Sequence, residues 1–196
     1  MTTEQRPPEY LRADAARNLQ RIVEVAARLL GDDPHAGMGA VAAAADVSRA
    51  TVYRHFPTRE ALLSAIHTQA VEHAERALVE CRLDEDSATE ALRRLVAAWL
   101  DVAERYAFPQ LAAQTNPDVS AEERAHRRRV FGEPLNSLIE RGRASGEFST
   151  ALTSDWGVRA FGALLLGGAR AVDEGALSRE DAPDVVFHTL LEGLGA

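Results

Sequence analysis

The chain has 196 residues, a formal net charge of −8 and 46% hydrophobic residues, which is the composition of a soluble globular protein of one or two domains. Its one cysteine, Cys81, excludes an intrachain disulfide and favours a reducing, cytoplasmic location. No apolar run approaches the roughly 20 residues that a membrane-spanning helix needs, so no membrane partner is predicted.

Charge is unevenly distributed along the chain. All 22 basic residues are arginines; residues 1–60 carry eight of them with eight acids, and residues 61–196 carry fourteen with twenty-two acids. An acidic rear part would be repelled by phosphate, so only the front part can present a face to a polyanion. Abundant alanine, few aromatics and scattered β-branched residues favour helices throughout.

The front of the chain is predicted to form short helices after a flexible arm, residues 1–13, that contains Pro7 and Pro8. Helix boundaries follow from apolar spacing and from cap residues, with Ser48 and Thr58 each placed to cap the helix that follows. The predicted front helices cover residues 14–30, 38–45, 49–55 and 59–81.

The rear of the chain is predicted to form longer helices. Ser120 with Glu123 has the form of a capping box, and Pro134 suits the first turn of a new helix. The remaining predicted helices cover residues 87–106, 156–172 and 181–194. We therefore predict an all-α chain of about nine helices, with an N-terminal domain over residues 14–62 and a C-terminal helical domain over 63–196.

Residues 38–56 have the pattern of a helix-turn-helix. A supporting helix over 38–45 is followed by a turn at Asp46-Val47 and by a second helix from Ser48 to Phe56. Val52 and Phe56 are four residues apart and are predicted to face the core. The three-helix front domain is therefore predicted to bind double-stranded DNA.

The outward residues of the second helix match the chemistry of DNA contact. Arg49 can bond a guanine edge with two donors, and Ala50 and Thr51 can offer methyl groups to thymine. Tyr53 and His55 can bond phosphate, and Arg59 with the first amides of the fourth helix can hold an anion. The predicted DNA-binding residues are Arg49, Ala50, Thr51, Tyr53, Arg54, His55, Thr58 and Arg59. The alternative is that these side chains are a solvated helix face.

The run from Thr51 to Leu62, TVYRHFPTREAL, preceded by Ala45-Asp46-Val47-Ser48, resembles the TetR family of one-component transcriptional regulators. By motif the resemblance covers about residues 14–65. It implies that Thr51, Tyr53 and His55 contact DNA and that Arg59, usually a lysine in the family, binds phosphate.

Three positions depart from the family pattern. Asp46 stands where the turn usually has glycine, and it has to tolerate a left-handed conformation. Gly37 stands where a serine or threonine often caps the supporting helix and contacts phosphate, so that contact is predicted to be lost. Arg59 keeps the charge of the usual lysine but changes its geometry.

The resemblance further implies that the C-terminal domain forms a homodimer and binds a small effector. The last two long helices are too apolar for one monomer to expose, and the predicted dimer interface comprises Phe161, Leu164, Leu165, Val172, Val186, Phe187, Leu190 and Leu194. Candidates for the effector pocket are Trp99, Tyr106, Phe108, Phe131, Leu135, Leu138 and Trp156. For both sets the alternative is ordinary intrachain core.

The function implied is that of a ligand-responsive transcriptional regulator, in this family most often a repressor. It would bind a palindromic operator as a dimer and be released by a small, mainly apolar effector. No catalytic motif, metal-ligand spacing or cofactor loop is found, so an enzyme is not predicted. The alternative is a helical enzyme or ligand carrier with a vestigial DNA-binding domain.

Overall fold

The computed structural model describes residues 9–106, 125–126, 128–151 and 153–194, and its regular elements within them are helices. They are α1 (Glu9–Asp32), α2 (Met38–Ala44), α3 (Arg49–His55), α4 (Arg59–Glu80), α5 (Ala88–Arg105), a π-helical stretch (Arg128–Gly132), α6 (Glu133–Ala144), α7 (Ser154–Asp173) and α8 (Ala182–Leu194). The all-α prediction is confirmed. Within this part of the chain no helix is long and apolar enough to cross a membrane.

Helix ends agree with the sequence patterns except at the N-terminus. Helix α1 begins at Glu9, so the arm predicted over residues 1–13 is too long. Prolines just before this start are no obstacle, because proline is tolerated at the beginning of a helix and an acid in the first turn favours the dipole. The helix predicted to open at Ser120 lies outside the described residues.

The chain divides into two compact units, the first extending to Gln69 and the second beginning at Ala70, so the boundary falls within α4. In the first unit α1 packs on α2, and α2 packs on α3. Their apolar faces meet in a small core that is completed by the start of α4. The fully buried side chains of this core include Ile22, Leu30, Val41, Val52 and Leu62.

The second unit is built around α5, which contacts α6, α7 and α8. Ser87 caps this helix by accepting a hydrogen bond from the Glu90 amide at 3.1 Å. Its apolar face is buried on one side, as the spacing of Leu92, Leu95 and Val96 requires. The core also receives Phe148, Phe161, Phe187 and Leu190.

The turn after α6 folds back onto its own helix. Gly146 adopts a φ of +79°, which a residue without a side chain accommodates readily. The Phe148 ring then lies directly over Gly142, where an added Cβ would clash with it. The amides of Glu147 and Phe148 both donate to the Gly142 carbonyl, at 2.8 and 3.0 Å.

This turn also ties the start of α5 to the end of α6. The Glu147 carboxylate accepts hydrogen bonds from the amides of Ala88 at 3.1 Å and Thr89 at 2.9 Å, and from the Ser145 hydroxyl at 2.7 Å. These donors, the Thr89 amide first, lower the pKa of Glu147 from 4.5 to about 2. A negative charge at a helix N-terminus is favourable in itself.

We expect Glu147→Gln to lower the free energy of unfolding at pH 7 by about 2 kcal/mol, because charge-assisted hydrogen bonds are lost. Since the folded-state pKa of Glu147 is depressed, its contribution is complete above the unfolded value of 4.5 and disappears as the pH falls towards 2. Urea denaturation of both proteins should therefore show a gap that narrows below about pH 5. Glu180→Gln, at an exposed carboxylate, is the control. A gap independent of pH would contradict the charged cap.

Candidate nucleic-acid interface

Helices α2 and α3 and the turn between them form the helix-turn-helix. Gly37 is the N-cap residue of α2 and offers no side-chain hydrogen bond to the helix. After α2, the amides of Asp46 and Val47 donate to the carbonyls of Ala43 and Ala42 at 3.2 and 3.0 Å. Asp46 has a φ of +52°, so the turn does require the left-handed conformation expected there.

Helix α3 is fixed at its start and along its inner face. The Ser48 hydroxyl accepts from the Thr51 amide at 3.1 Å, which confirms the predicted cap. Val52 and Phe56 are buried, as predicted. The Thr51 hydroxyl lies 2.8 Å from the Ser48 hydroxyl, so it already has a partner within the protein.

The remaining side chains of α3 form a polar outer face. Tyr53 is 51% exposed, in contrast to the inward-facing Phe56. Thr51 is half-buried. The exposed members of this face are Arg49, Ala50, Tyr53, Arg54 and His55. Five of the predicted DNA-binding residues are therefore brought together on one accessible surface.

The start of α4 is organised by Thr58, whose hydroxyl accepts from the Ala61 amide at 3.1 Å. Hydrogen bonds from its own backbone and from Thr58 lower the pKa of Glu60 in the first turn. Arg59 is turned inward: it donates to the carbonyls of Ala36 at 2.8 Å and Pro34 at 2.7 Å. Arg59 therefore holds the α1–α2 connection, and its contact with phosphate stays a prediction.

Arg59→Lys is expected to lower the free energy of unfolding by about 1 kcal/mol, because one ammonium group cannot reproduce a planar fork that binds two carbonyls. Arg54→Lys is a matched control, since Arg54 is exposed on α3. Guanidinium chloride denaturation of the three proteins measures the difference. Equal midpoints for Arg59→Lys and wild type would show that the fork adds nothing.

A second arginine of this unit has a role that the sequence did not indicate. Arg21 on α1 donates to the Ala45 carbonyl at the end of α2, at 3.2 Å, and to the Asn18 side chain at 3.3 Å. It therefore braces the turn of the helix-turn-helix against α1. No sequence signal distinguishes Arg21 from an arginine that only faces solvent.

In the second unit, the candidate pocket residues do not share one environment. The Trp99 ring is half-buried and packs edge-to-face on Phe131, with ring centroids 5.2 Å apart, and on Phe161 at 5.3 Å. Leu135, Leu138 and Tyr106 are buried in the core, and the Tyr106 ring lies 5.9 Å from the His73 ring between centroids.

Trp156 is 55% exposed in the first turn of α7 and is therefore not enclosed. Phe108 lies outside the described residues.

One atom of this cluster stands out. The Trp99 indole Nε1 is buried and has no hydrogen-bond partner in the described part of the chain. A buried donor left without an acceptor costs about 1–3 kcal/mol, so such an atom calls for an explanation.

Most of the residues predicted for the dimer interface lie within the chain's own core. Phe161, Leu165, Val186, Phe187 and Leu190 are buried inside the second unit. Leu164 and Val172 are half-buried against the same cluster, and the side chain of Leu194 lies outside the described set. When a helix has apolar residues on two of its faces, its sequence does not indicate which face packs into the chain's own core. The opposite sides of α7 and α8 are exposed instead, with Leu166 at 40% and Val185 at 46%.

Comparison with known proteins agrees with this geometry. Residues 22–66, which include the whole helix-turn-helix, match the family model described as bacterial regulatory proteins, tetR family. Over 183 residues the chain is 29% identical to the HTH-type transcriptional repressor LfrR of Mycolicibacterium smegmatis, covering 91% of this chain and 90% of the relative. It is 26% identical over 175 residues to the HTH-type transcriptional regulator NfxB of Pseudomonas aeruginosa, covering 89% and 92%.

Solved structures give the same result. The crystal structure of LfrR from Mycobacterium smegmatis in complex with proflavine superposes with a TM-score of 0.72 at 26% identity, covering 92% of this chain and 98% of that one. PfmR from Thermus thermophilus, at 24% identity and a TM-score of 0.70, covers 90% and 100% and shares the fold. The resemblance found in the recognition segment is confirmed: residues 22–66 match the tetR family model, and over most of its length the chain is similar to TetR-like transcriptional regulators.

Proposed function

We propose that this protein is a dimeric repressor that binds a palindromic operator and is released by a small, mainly apolar effector. The observation that carries the proposal is the exposed outer face of α3, with Tyr53, Arg54 and His55, on a helix secured by Ser48 and by its buried residues. A rigid helix that presents such donors suits the major groove and the adjacent phosphates.

The test is binding to the DNA upstream of its own gene and to duplexes that the protein selects from a random pool. Tyr53→Ala and Arg54→Ala should each lower specific affinity by about tenfold, roughly the free energy of one good contact. Arg128→Ala is the matched control, because it removes an exposed arginine of the second unit. The proposal fails if the α3 variants bind like this control.

The exposed sides of α7 and α8 support dimerisation through a second copy. On α7, Gly162, Ala163, Leu166 and Gly167 follow each other at helical spacing and are all exposed, so a partner helix could approach closely. Val185 on α8 is likewise exposed, at 46%. Large hydrophobic residues exposed together on one surface are typical of an interface.

Leu166→Glu should convert the dimer to monomers without unfolding the second unit, because the leucine side chain is already 40% exposed in one chain. Val79→Glu, on an exposed part of α4, is the control. Sedimentation velocity gives the mass and far-ultraviolet circular dichroism gives the helicity. A dimer that survives Leu166→Glu would move the interface elsewhere.

The Trp99–Phe131 pair supports an aromatic effector site in the second unit. Planar rings pack well against such a pair, and the Trp99 Nε1, which has no partner among the described residues, could donate to an acceptor on the ligand. LfrR, a relative, has been crystallised with proflavine, a planar ring compound, which makes proflavine a suitable probe. In Trp156→Phe the remaining tryptophan fluorescence comes from Trp99 and should be quenched on titration with proflavine. Unchanged fluorescence would remove Trp99 from the site.

A further inference from the structure

The Arg49 side chain is exposed, and its guanidinium lies beside α2, next to Gly39. A Cβ added to Gly39 would come within 2.7 Å of Nη2 and 2.9 Å of Cζ and Nε of the Arg49 guanidinium. A side chain at position 39 would therefore displace this guanidinium, which can shift because it is the end of a flexible side chain. Glycine has a low helix propensity, and here the absence of a side chain leaves room for the Arg49 guanidinium.

The charge of Arg49 is positioned but not neutralised. Arg49 is exposed, and no hydrogen bond or ion pair joins its guanidinium to any residue that the structure describes. In this it differs from Arg59, whose guanidinium is bonded to two carbonyls of the α1–α2 connection. An exposed guanidinium that has no acceptor among the described residues is suited to an external anion.

Helix-turn-helix geometry indicates which anion this is. The first residues of the recognition helix normally reach base edges, whereas the supporting helix crosses the sugar–phosphate backbone. Arg49 belongs to the recognition helix by sequence, but its guanidinium lies on the supporting helix at Gly39. Its charge is thus with the element that meets the backbone.

We propose that Gly39 is a positioning residue that commits Arg49 to a DNA phosphate, so that Arg49 is not the guanine reader expected from its chemistry. This inference rests on the proposed DNA-binding function. Sequence reading is then left to side chains that stay on the outer face of α3, among them Ala50, Tyr53 and Arg54. Phosphate contacts fix register and add affinity without sequence information.

The first experiment separates a phosphate contact from a base contact. The probes are a duplex selected by the wild-type protein from a random pool, its single-base variants and a scrambled duplex. Arg49→Ala should weaken binding to all of them by the same factor, about 5- to 10-fold at 0.1 M salt, and reduce the salt slope by about 0.9. Loss of discrimination at one base pair with an unchanged slope would overturn the proposal.

The second experiment tests the role of Gly39. Gly39→Ala should reproduce the DNA-binding loss of Arg49→Ala while leaving the melting temperature equal or higher, because alanine favours the helix. Adding Gly39→Ala to Arg49→Ala should cause no further loss of DNA binding, since Gly39 acts only through Arg49. Gly37→Ala is the control, because a Cβ there meets nothing within 4 Å.

Two results would overturn the role of Gly39: unchanged binding by Gly39→Ala, or the same loss from Gly39→Ala whether or not Arg49 is present. Failure of the proposed function gives a different result. In that case the wild-type protein would select no duplex sequence from the pool, and the inference about Arg49 would fall with it.

Discussion

Gly168→Val is expected to lower the free energy of unfolding by about 3 kcal/mol, at the upper end of the cost of overpacking a core. Gly168 is buried in α7, and a Cβ there would lie 2.5 Å from Val186 Cγ2 on α8 and 3.6 Å from Leu100 Cδ2 on α5. The close approach of these helices therefore depends on the missing side chain. Urea denaturation measures the loss.

Gly167→Val is the matched control, because this neighbouring residue is exposed and a Cβ there meets nothing within 4 Å. Since Gly167 lies on the proposed dimer surface, both valine variants are compared in the Leu166→Glu background, in which that surface is disrupted. Both variants make the same change in helix propensity, so a difference between them isolates packing. The measurement should be repeated at several protein concentrations, since dimer formation makes the midpoint depend on concentration. Equal midpoints for the two variants would contradict the packing of Gly168 on α8.

Arg94→Ala is expected to lower the free energy of unfolding by about 2–3 kcal/mol, because its guanidinium organises the whole α4–α5 turn. Arg94 donates to the carbonyls of Cys81 at 3.0 Å, Arg82 at 3.2 Å and Glu85 at 3.3 Å, and to the Asp86 carboxylate at 3.0 Å. This turn contains two non-glycine residues with positive φ, Arg82 and Asp86, at 44° and 60°. Such conformations persist only where surrounding contacts impose them.

Arg94→Lys retains the charge but not the fork, and it should recover less than half of the loss. Arg141 binds the same turn from α6, donating to the carbonyls of Asp86 at 2.8 Å and Leu83 at 2.6 Å. A double-mutant cycle of Arg94→Ala and Arg141→Ala should therefore be non-additive. Full recovery by Arg94→Lys would show that charge alone stabilises the turn.

The helix ends and the inward-facing residues of the first unit could be predicted, because the residues that set them are close together in the sequence. Caps at Ser48 and Thr58 are set by hydroxyls three residues from their amides, and the inward direction of Val52 and Phe56 follows from helical spacing. The left-handed conformation of Asp46 was predictable for the same reason. Residue spacing does not predict the direction of a long side chain. The guanidinium of Arg49 lies beside Gly39 on α2, and that of Arg59 donates to the Ala36 carbonyl before α2.

In the second unit, the spacing of apolar residues identified the helices but not which side of each helix is buried. Helix α7 is apolar on more than one side, so Phe161 and Leu165 could be assigned to a partner as readily as to the core. Likewise Trp156 has the composition of a pocket residue, yet its place in the first turn of α7 leaves it exposed. Neighbours distant in sequence decide burial, and a single sequence does not name them.

The helical class, most helix boundaries and the recognition segment could be read from the residues alone, because propensity, capping and short motifs act over a few residues. Which arginines bind backbone carbonyls of the protein itself depends on contacts made across the fold. Arg21, Arg59, Arg94 and Arg141 donate to backbone carbonyls, whereas Arg49 lies on Gly39 without a partner in the described part of the chain. The physical reason is that the carbonyls that capture a guanidinium come from segments 9 to 58 residues away along the chain.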